Sequence, residues 1–186
     1  MQARRYDGVS DRALVKAYLR GDAGAFEELY LRYEAPLFGY VLGMVREREE
    51  AEDVLQETFL KIMRSLGRYR EQGSFRSWLY TVASNLCRDH LRKRSRHEQL
   101  ARERLQVGSS APDPEAVFER SESSQLLSRL VDELPDEQRE VVLLRVRSDL
   151  SFREIARLQG CPLGTALGRM HLAVKKLRRG FGLDRQ

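Results

Sequence analysis

Apolar residues recur at helical spacing along almost the whole chain, and no segment alternates apolar and polar as a half-buried strand does. The pattern predicts a short helix over residues 10–20 that stops at Gly21. Asp22 then caps a second helix carrying Phe26, Leu29, Tyr30 and Tyr33. Pro36 is expected to break or restart that helix before residues 37–45. A third element covers 48–66, with Leu55, Phe59, Ile62 and Leu66 as its buried stripe, and 67–73 reads as a loop. Residues 73–96, GSFRSWLYTVASNLCRDHLRKRSR, read as one further helix, because Gly73 and Ser74 look like loop and N-cap and nothing after them breaks it. At about 100° per residue, Phe75, Leu79, Val82 and Leu86 form a single stripe that must bury. These four helices make a bundle.

From about His97 the periodicity fades, and residues 108–124, GSSAPDPEAVFERSESS, have the Ser, Pro and acid content of a linker. Periodicity returns at Leu126, Leu127, Leu130, Val131 and Leu134, and Pro135 and Asp136 open a helix carrying Val141, Val142, Leu143 and Leu144. The expected fold is all-α, with two small helical domains at 10–96 and 121–182 joined by a flexible linker at 97–120. The last segment, LSFREIARLQGCPLGTALGRMHLAVKKLRR, has the layout of a helix-turn-helix. Ser151 and Glu154 form a capping box, Gly160 supplies the turn, and Pro162 suits the start of the second helix. In that helix Leu163, Ala166, Met170, Ala173 and Leu177 are expected to face inward, and Thr165, Arg169, Leu172, Lys176 and Arg179 outward.

Two stretches carry candidate chemistry. Trp78, Asn85 and Arg92 recur every seventh residue on a flank of the fourth helix, giving an aromatic face, an amide and a cation. Stacking surface with phosphate-seeking charge suits unpaired nucleic acid, although a core helix with a solvated basic end has the same pattern. The outward basic helix near the C-terminus fits a major groove, as would a plain hairpin with a charged tail. Composition narrows the classes. Of 186 residues, 41% are hydrophobic and 33% charged, with net charge +5, which favours an anionic partner. Basic residues concentrate at 88–96 and 169–179 whereas 47–57 is acidic, so two kinds of partner are expected. No apolar run approaches the 18 or so residues of a membrane span, and Met1–Gly21 does not read as a signal peptide. Cys87 and Cys161 have no metal-ligand spacing and read as small buried residues or free thiols. His90, His97 and His171 read as scattered surface residues. No phosphate loop, nucleophile elbow, paired-acid motif or metal cluster is present, which leaves an enzyme without machinery.

Four segments, AEDVLQETFLKIMRSL, GSFRSWLYTVASNLCRDHLRKR, LPDEQREVVLLR and the helix-turn-helix above, stand in the order and spacing of one family. Across roughly residues 10–180 the chain resembles bacterial sigma factors of the extracytoplasmic-function (ECF) group of the sigma-70 family. The resemblance implies a cytoplasmic, non-catalytic subunit without cofactor or metal. It would bind core RNA polymerase, direct it to promoters and help open them. It also implies an anti-sigma factor as partner and no direct membrane insertion. Polymerase binding would fall on Glu50, Asp53, Gln56, Glu57 and Leu60, where an acidic outward face surrounds an exposed apolar residue. The −10 element would be read by Tyr69, Arg70, Ser74, Arg76, Trp78, Asn85, Arg88, Arg92 and Lys93, with Tyr69 stacking on a flipped base. The −35 element would be read by Thr165, Arg169, His171, Lys175 and Lys176. Members often carry Lys or Arg, then Ser, where this chain has Leu167 and Gly168, and often Arg at the position of Leu172. Leu167 lies at the margin of the predicted buried stripe, so packing is one account of it. An unusual −35 sequence, or heavier reliance on shape and phosphate contacts, is the other. The main rival is a stand-alone regulator that binds duplex DNA and never meets polymerase. It leaves the acidic third helix and the 69–85 cluster without a purpose.

Overall fold

A computed structural model describes residues 6–69, 74–104 and 122–183, and the described residues are helical with no strand. The N-terminal half is α1 (Asp11–Leu19), α2 (Ala23–Val45), α3 (Arg48–Ser65) and α4 (Phe75–Arg104). The C-terminal half is α5 (Glu122–Asp132), α6 (Asp136–Arg147), α7 (Phe152–Leu158) and α8 (Leu163–Gly180). Local chemistry sets several ends. Ser10 caps α1 by accepting from the Ala13 amide, and Gly21 turns the chain at φ +98°. α3 tightens into a 3-10 turn at Leu66–Arg68. α4 runs on to Arg104, beyond the point where its apolar pattern fades, and the rest of the expected linker, 105–120, lies outside the described residues.

Pro36 does not break the second helix. α2 is continuous for 23 residues with Pro36 inside it. A mid-helix proline forfeits a hydrogen bond and clashes with the preceding turn, at about 3 kcal/mol or more. Tyr33, Leu37, Tyr40 and Val41 bracket it and are all buried, each worth about 1.5–3 kcal/mol. Packing on both sides of the proline therefore outweighs the local cost.

α2 is the central helix, in contact with α1, α3, α4 and α6. Its glycines let the two halves meet closely. A Cβ on Gly43 would sit 2.8 Å from the Leu143 side chain on α6, and one on Gly39 would sit 3.3 Å from the Arg147 guanidinium. Leu79, Tyr80, Val141, Leu144, Leu150 and Ile155 thus belong to one continuous core that spans both halves.

The seam between the halves also contains buried polar groups. Glu140 of α6 is 3% exposed, and its carboxylate accepts from Tyr40 Oη, Ser84 Oγ, Arg88 Nη2 and Gln159 Nε2. Arg139, 1% exposed, donates through Nη2 to the Met44 carbonyl and to Asp136, while its Nε and Nη1 have no partner. Tyr80 donates to the Arg147 carbonyl at 2.9 Å. Arg46, which ends α2 in the left-handed region at φ 73°, donates to the Asp132 carbonyl.

Candidate nucleic-acid and polymerase interfaces

Tyr69, which follows the 3-10 segment, meets the aromatic residues at the start of α4. Tyr69 lies against Trp78 with centroids 4.5 Å apart and planes inclined by 32°. Phe75 meets both rings edge-on, at 6.3 and 5.9 Å, and packs on Tyr33 at 5.6 Å. Phe75 is buried, as core packing requires, while Tyr69 and Trp78 are half-buried. The result is an aromatic ledge on a buried base. Arg70, the expected backbone clamp, lies outside the described residues. Asn85 is exposed two turns further along α4, about 10 Å from Trp78 along the axis. Arg92 and Lys93 are exposed beyond it, Arg92 in a 2.7 Å pair with Asp89.

The other residues expected at the −10 element are engaged by the C-terminal half. Ser74 caps α4 by accepting from the Ser77 amide at 3.1 Å and also donates to Glu154. Arg76 lies over the Tyr33 ring at 6.0 Å and 3.9 Å from Asp149. Its pKa is raised, first by hydrogen bonding to Tyr33. Arg88 places one nitrogen 2.9 and 3.0 Å from the two oxygens of Glu140 and another 3.4 Å from Asn85 Oδ1. Burial, then the charge of Glu140, holds the Tyr40 hydroxyl protonated well above its ordinary range, so it stays a donor. Sequence reasoning missed Glu140 and Arg139. Nothing in the sequence singles them out, because Arg139, Glu140, Val141 and Val142 are consecutive and all buried, which has no helical period.

On α3, Glu49, Asp53, Gln56 and Glu57 are exposed together, with Leu60 42% and Met63 40% exposed beside them. Met63 adds a second exposed apolar side chain to the one the sequence places at Leu60. Glu50 differs from its neighbours. Its carboxylate lies 2.9 Å from His90 Nε2 and 3.3 Å from Arg94 Nη1, tying α3 to α4. His90 is therefore not an idle surface residue. Arg94 also donates to the Val45 carbonyl at the end of α2.

The helix-turn-helix forms as its local signals require. Ser151 and Glu154 make a reciprocal capping box and Gly160 turns the chain at φ +63°. Thr165, His171, Lys175 and Lys176 are exposed on α8. Arg169 does not project freely: its Nη1 donates to Gln159 Oε1 at 3.0 Å and approaches Cys161 Sγ at 3.6 Å. Leu163 does not face inward as the period predicts but is 39% exposed. Ala166 and Ala173 are buried where α6 and α7 pack, and Met170 and Leu177 are partly buried against the same core, so the inward arc is narrower than the period predicts. Leu167 is 45% exposed, so packing does not account for it.

Two family models match the chain in this order: Sigma-70 region 2 over residues 29–97 and Sigma-70, region 4 over residues 124–177. The RNA polymerase sigma-H factor of Pseudomonas aeruginosa is 33% identical over 88% of this chain and 89% of that protein. The sigma factor CarQ of Myxococcus xanthus is 38% identical over 87% and 92%. The ECF RNA polymerase sigma-E factor of Haemophilus influenzae is 32% identical over 89% and 92%. Among solved structures, the sigma factor RpoE in complex with the anti-sigma factor NepR from Bartonella quintana superposes with TM-score 0.70. It is 24% identical and covers 86% of this chain and 98% of that one. CnrH in complex with the cytosolic domain of CnrY superposes with TM-score 0.68, 23% identical over 94% and 99%. These two likenesses establish the fold. With both regions matched in order and relatives above 30% identity along most of its length, the chain belongs to the sigma-70 family of RNA polymerase sigma factors, in its extracytoplasmic-function group.

Proposed function

We propose that this sigma factor divides promoter recognition between its halves, 10–96 and 121–182. The exposed face of Asp53, Gln56, Glu57 and Leu60, extended by Met63, docks on core polymerase. Glu50 supports that face from behind through α4. Tyr69, Trp78 and Asn85 capture unpaired −10 bases, and α8 reads duplex DNA at the −35 element. The observation that carries this reading is the Tyr69–Trp78 ledge, set on buried Phe75 and followed along α4 by an exposed amide. Base–aromatic stacking returns about 1–3 kcal/mol per base, enough to offset the few kcal/mol of extracting one. Promoter opening then runs on binding energy, and no catalytic group is required of this chain.

Ser74, Arg76 and Arg88 reach DNA only after the C-terminal half leaves them. An anti-sigma partner, as the superposed RpoE has in NepR, would act on that closed arrangement. The chain works where polymerase works, in the cytoplasm, and among its described residues no helix is long and apolar enough to cross a membrane.

The test uses holoenzyme reconstituted from core polymerase and the full chain. Tyr69→Ala and Asn85→Ala should lower open-complex formation, read as permanganate reactivity of unpaired thymines, and a promoter already unpaired at −10 should partly restore both. Core binding should be unchanged. Normal opening by both variants would refute single-strand capture, and a chain that binds duplex DNA without forming holoenzyme would restore the stand-alone regulator.

A further inference from the structure

α8 presents leucines where a groove-reading helix is expected to present polar groups. Leu167 is 45% and Leu172 49% exposed. At about 100° per residue, Leu167 and Leu172 flank an arc whose centre lies opposite the buried Ala166 and Ala173. Gly164 and Gly168 lie within that arc, and a Cβ at either would meet nothing within 4 Å. Arg169 lies outside this arc and is bonded back to Gln159 and Cys161, while the long polar side chains inside it, Lys175 and Arg179 among them, belong to the C-terminal half of the helix. In the N-terminal half of α8, His171 lies within the arc and Thr165 just beyond Leu172, and both are exposed.

The surroundings identify the occupant. α8 contains no acidic residue, and Lys175, Lys176 and Arg179 are exposed along its C-terminal half. A helix with an apolar outward face and a basic trailing end matches a polyanion that offers apolar groups in a groove. The major groove of duplex DNA offers one such group, the C5-methyl of thymine. A protein partner facing the same helix would have to be acidic around an apolar centre, and the experiment below separates that occupant from DNA.

We infer that Leu167 and Leu172 are specificity-determining residues that read thymine methyl groups in the −35 duplex, with phosphate contacts from the basic end holding the helix in register. The inference rests on α8 being the −35-reading helix. The glycines between the leucines let the helix backbone come closer to the base edges than a surface of larger side chains would allow. The elements selected by this sigma factor should therefore be thymine-rich on one strand where α8 lies, with less dependence on guanine contacts.

The experiment selects upstream sequences with holoenzyme from promoters whose −10 region is fixed and whose −35 region is randomised. Enrichment of thymine is expected. Each enriched thymine is then replaced by deoxyuridine, which removes only the methyl group, so the wild-type protein itself is tested. Affinity should fall about fourfold per contacted methyl. Leu167→Ala and Leu172→Ala change exposed residues, and each should bind the thymine and uracil promoters equally at one position. A holoenzyme with no upstream preference overturns α8 as the −35 reader, and this inference with it. A preference that survives uracil substitution overturns the methyl reading alone.

Discussion

Arg88 of α4 holds Glu140 of α6 through a single guanidinium nitrogen, 2.9 and 3.0 Å from the two carboxylate oxygens, across the seam between the two sigma domains. A side chain expected on promoter DNA is thus occupied by a buried acid of the other half. The same carboxylate accepts from Tyr40, Ser84 and Gln159, so one residue ties α2, α4 and the helix-turn-helix together. Charge-assisted bonds of this kind are among the stronger polar contacts in a protein.

Glu140→Ala should loosen the seam at a cost of about 2–3 kcal/mol, less than a fully buried pair because Arg88 reaches solvent. Cys87 reports on it. That thiol is buried, and burial, then the charge of Glu140, pushes its pKa up to about 12. In the native protein Cys161 should react with a thiol reagent and Cys87 should not. In Glu140→Ala, Cys87 should become reactive while far-ultraviolet circular dichroism stays helical. Equal protection of Cys87 in both proteins would show that Glu140 does not hold the seam.

Arg139 is buried with two donors unpaired, and burial lowers its pKa. Its hydrogen bonds to Met44 and Asp136 are set against that desolvation. Arg139→Met keeps the volume and should change stability by less than about 1 kcal/mol in denaturant titration. Arg139→Ala leaves a cavity and should cost about 3 kcal/mol. Similar losses in both variants would mean that the charge, not the packing, is what matters at this position.

Charge reversal separates docking from folding on α3. Asp53→Lys with Glu57→Lys alters exposed residues and should weaken core polymerase binding while the melting temperature moves little. Glu50→Lys should lower the melting temperature instead, because it sets a cation against His90 and Arg94. If the double variant bound core polymerase normally, the acidic face would be only a solvated surface.

Glu154 gives the helix-turn-helix an acid-sensitive start. Desolvation alone would raise its pKa, but hydrogen bonds from the Ser151 side chain and amide, and from Ser74, outweigh that and hold it low. A carboxyl whose folded pKa is depressed stabilises the fold above its unfolded value and loses that contribution as pH falls through the folded one. Melting temperature should therefore drop more steeply below about pH 4.5 in the wild type than in Glu154→Gln. Ser151→Ala should cost about 1 kcal/mol at neutral pH. Parallel acid limbs for wild type and Glu154→Gln would exclude the capping box as their source.

Most helices, the Ser74 and Ser151 caps and the helix-turn-helix were legible in the sequence because their causes are short-range. Asp22, by contrast, starts α2 without a side-chain cap and accepts from Tyr6 instead. Ser151 and Glu154 are three residues apart, Gly160 needs only its own backbone freedom, and the Leu55–Phe59–Ile62–Leu66 stripe declares a buried face without naming what covers it. The acidic face of α3 and the aromatic start of α4 were legible for the same reason. Only the tertiary structure decided which neighbour covers each face. It carries α2 straight through Pro36, because partners on several sides hold both turns in place. It turns Glu50 toward α4 and buries Arg139 and Glu140 side by side, although helical charges ordinarily face water. It leaves Leu163 and Leu167 exposed, because α6 and α7 cover a narrower arc of α8 than its apolar residues span. A period along one helix records that helix's own asymmetry, whereas burial is a property of two surfaces meeting, and the second surface is distant in the chain.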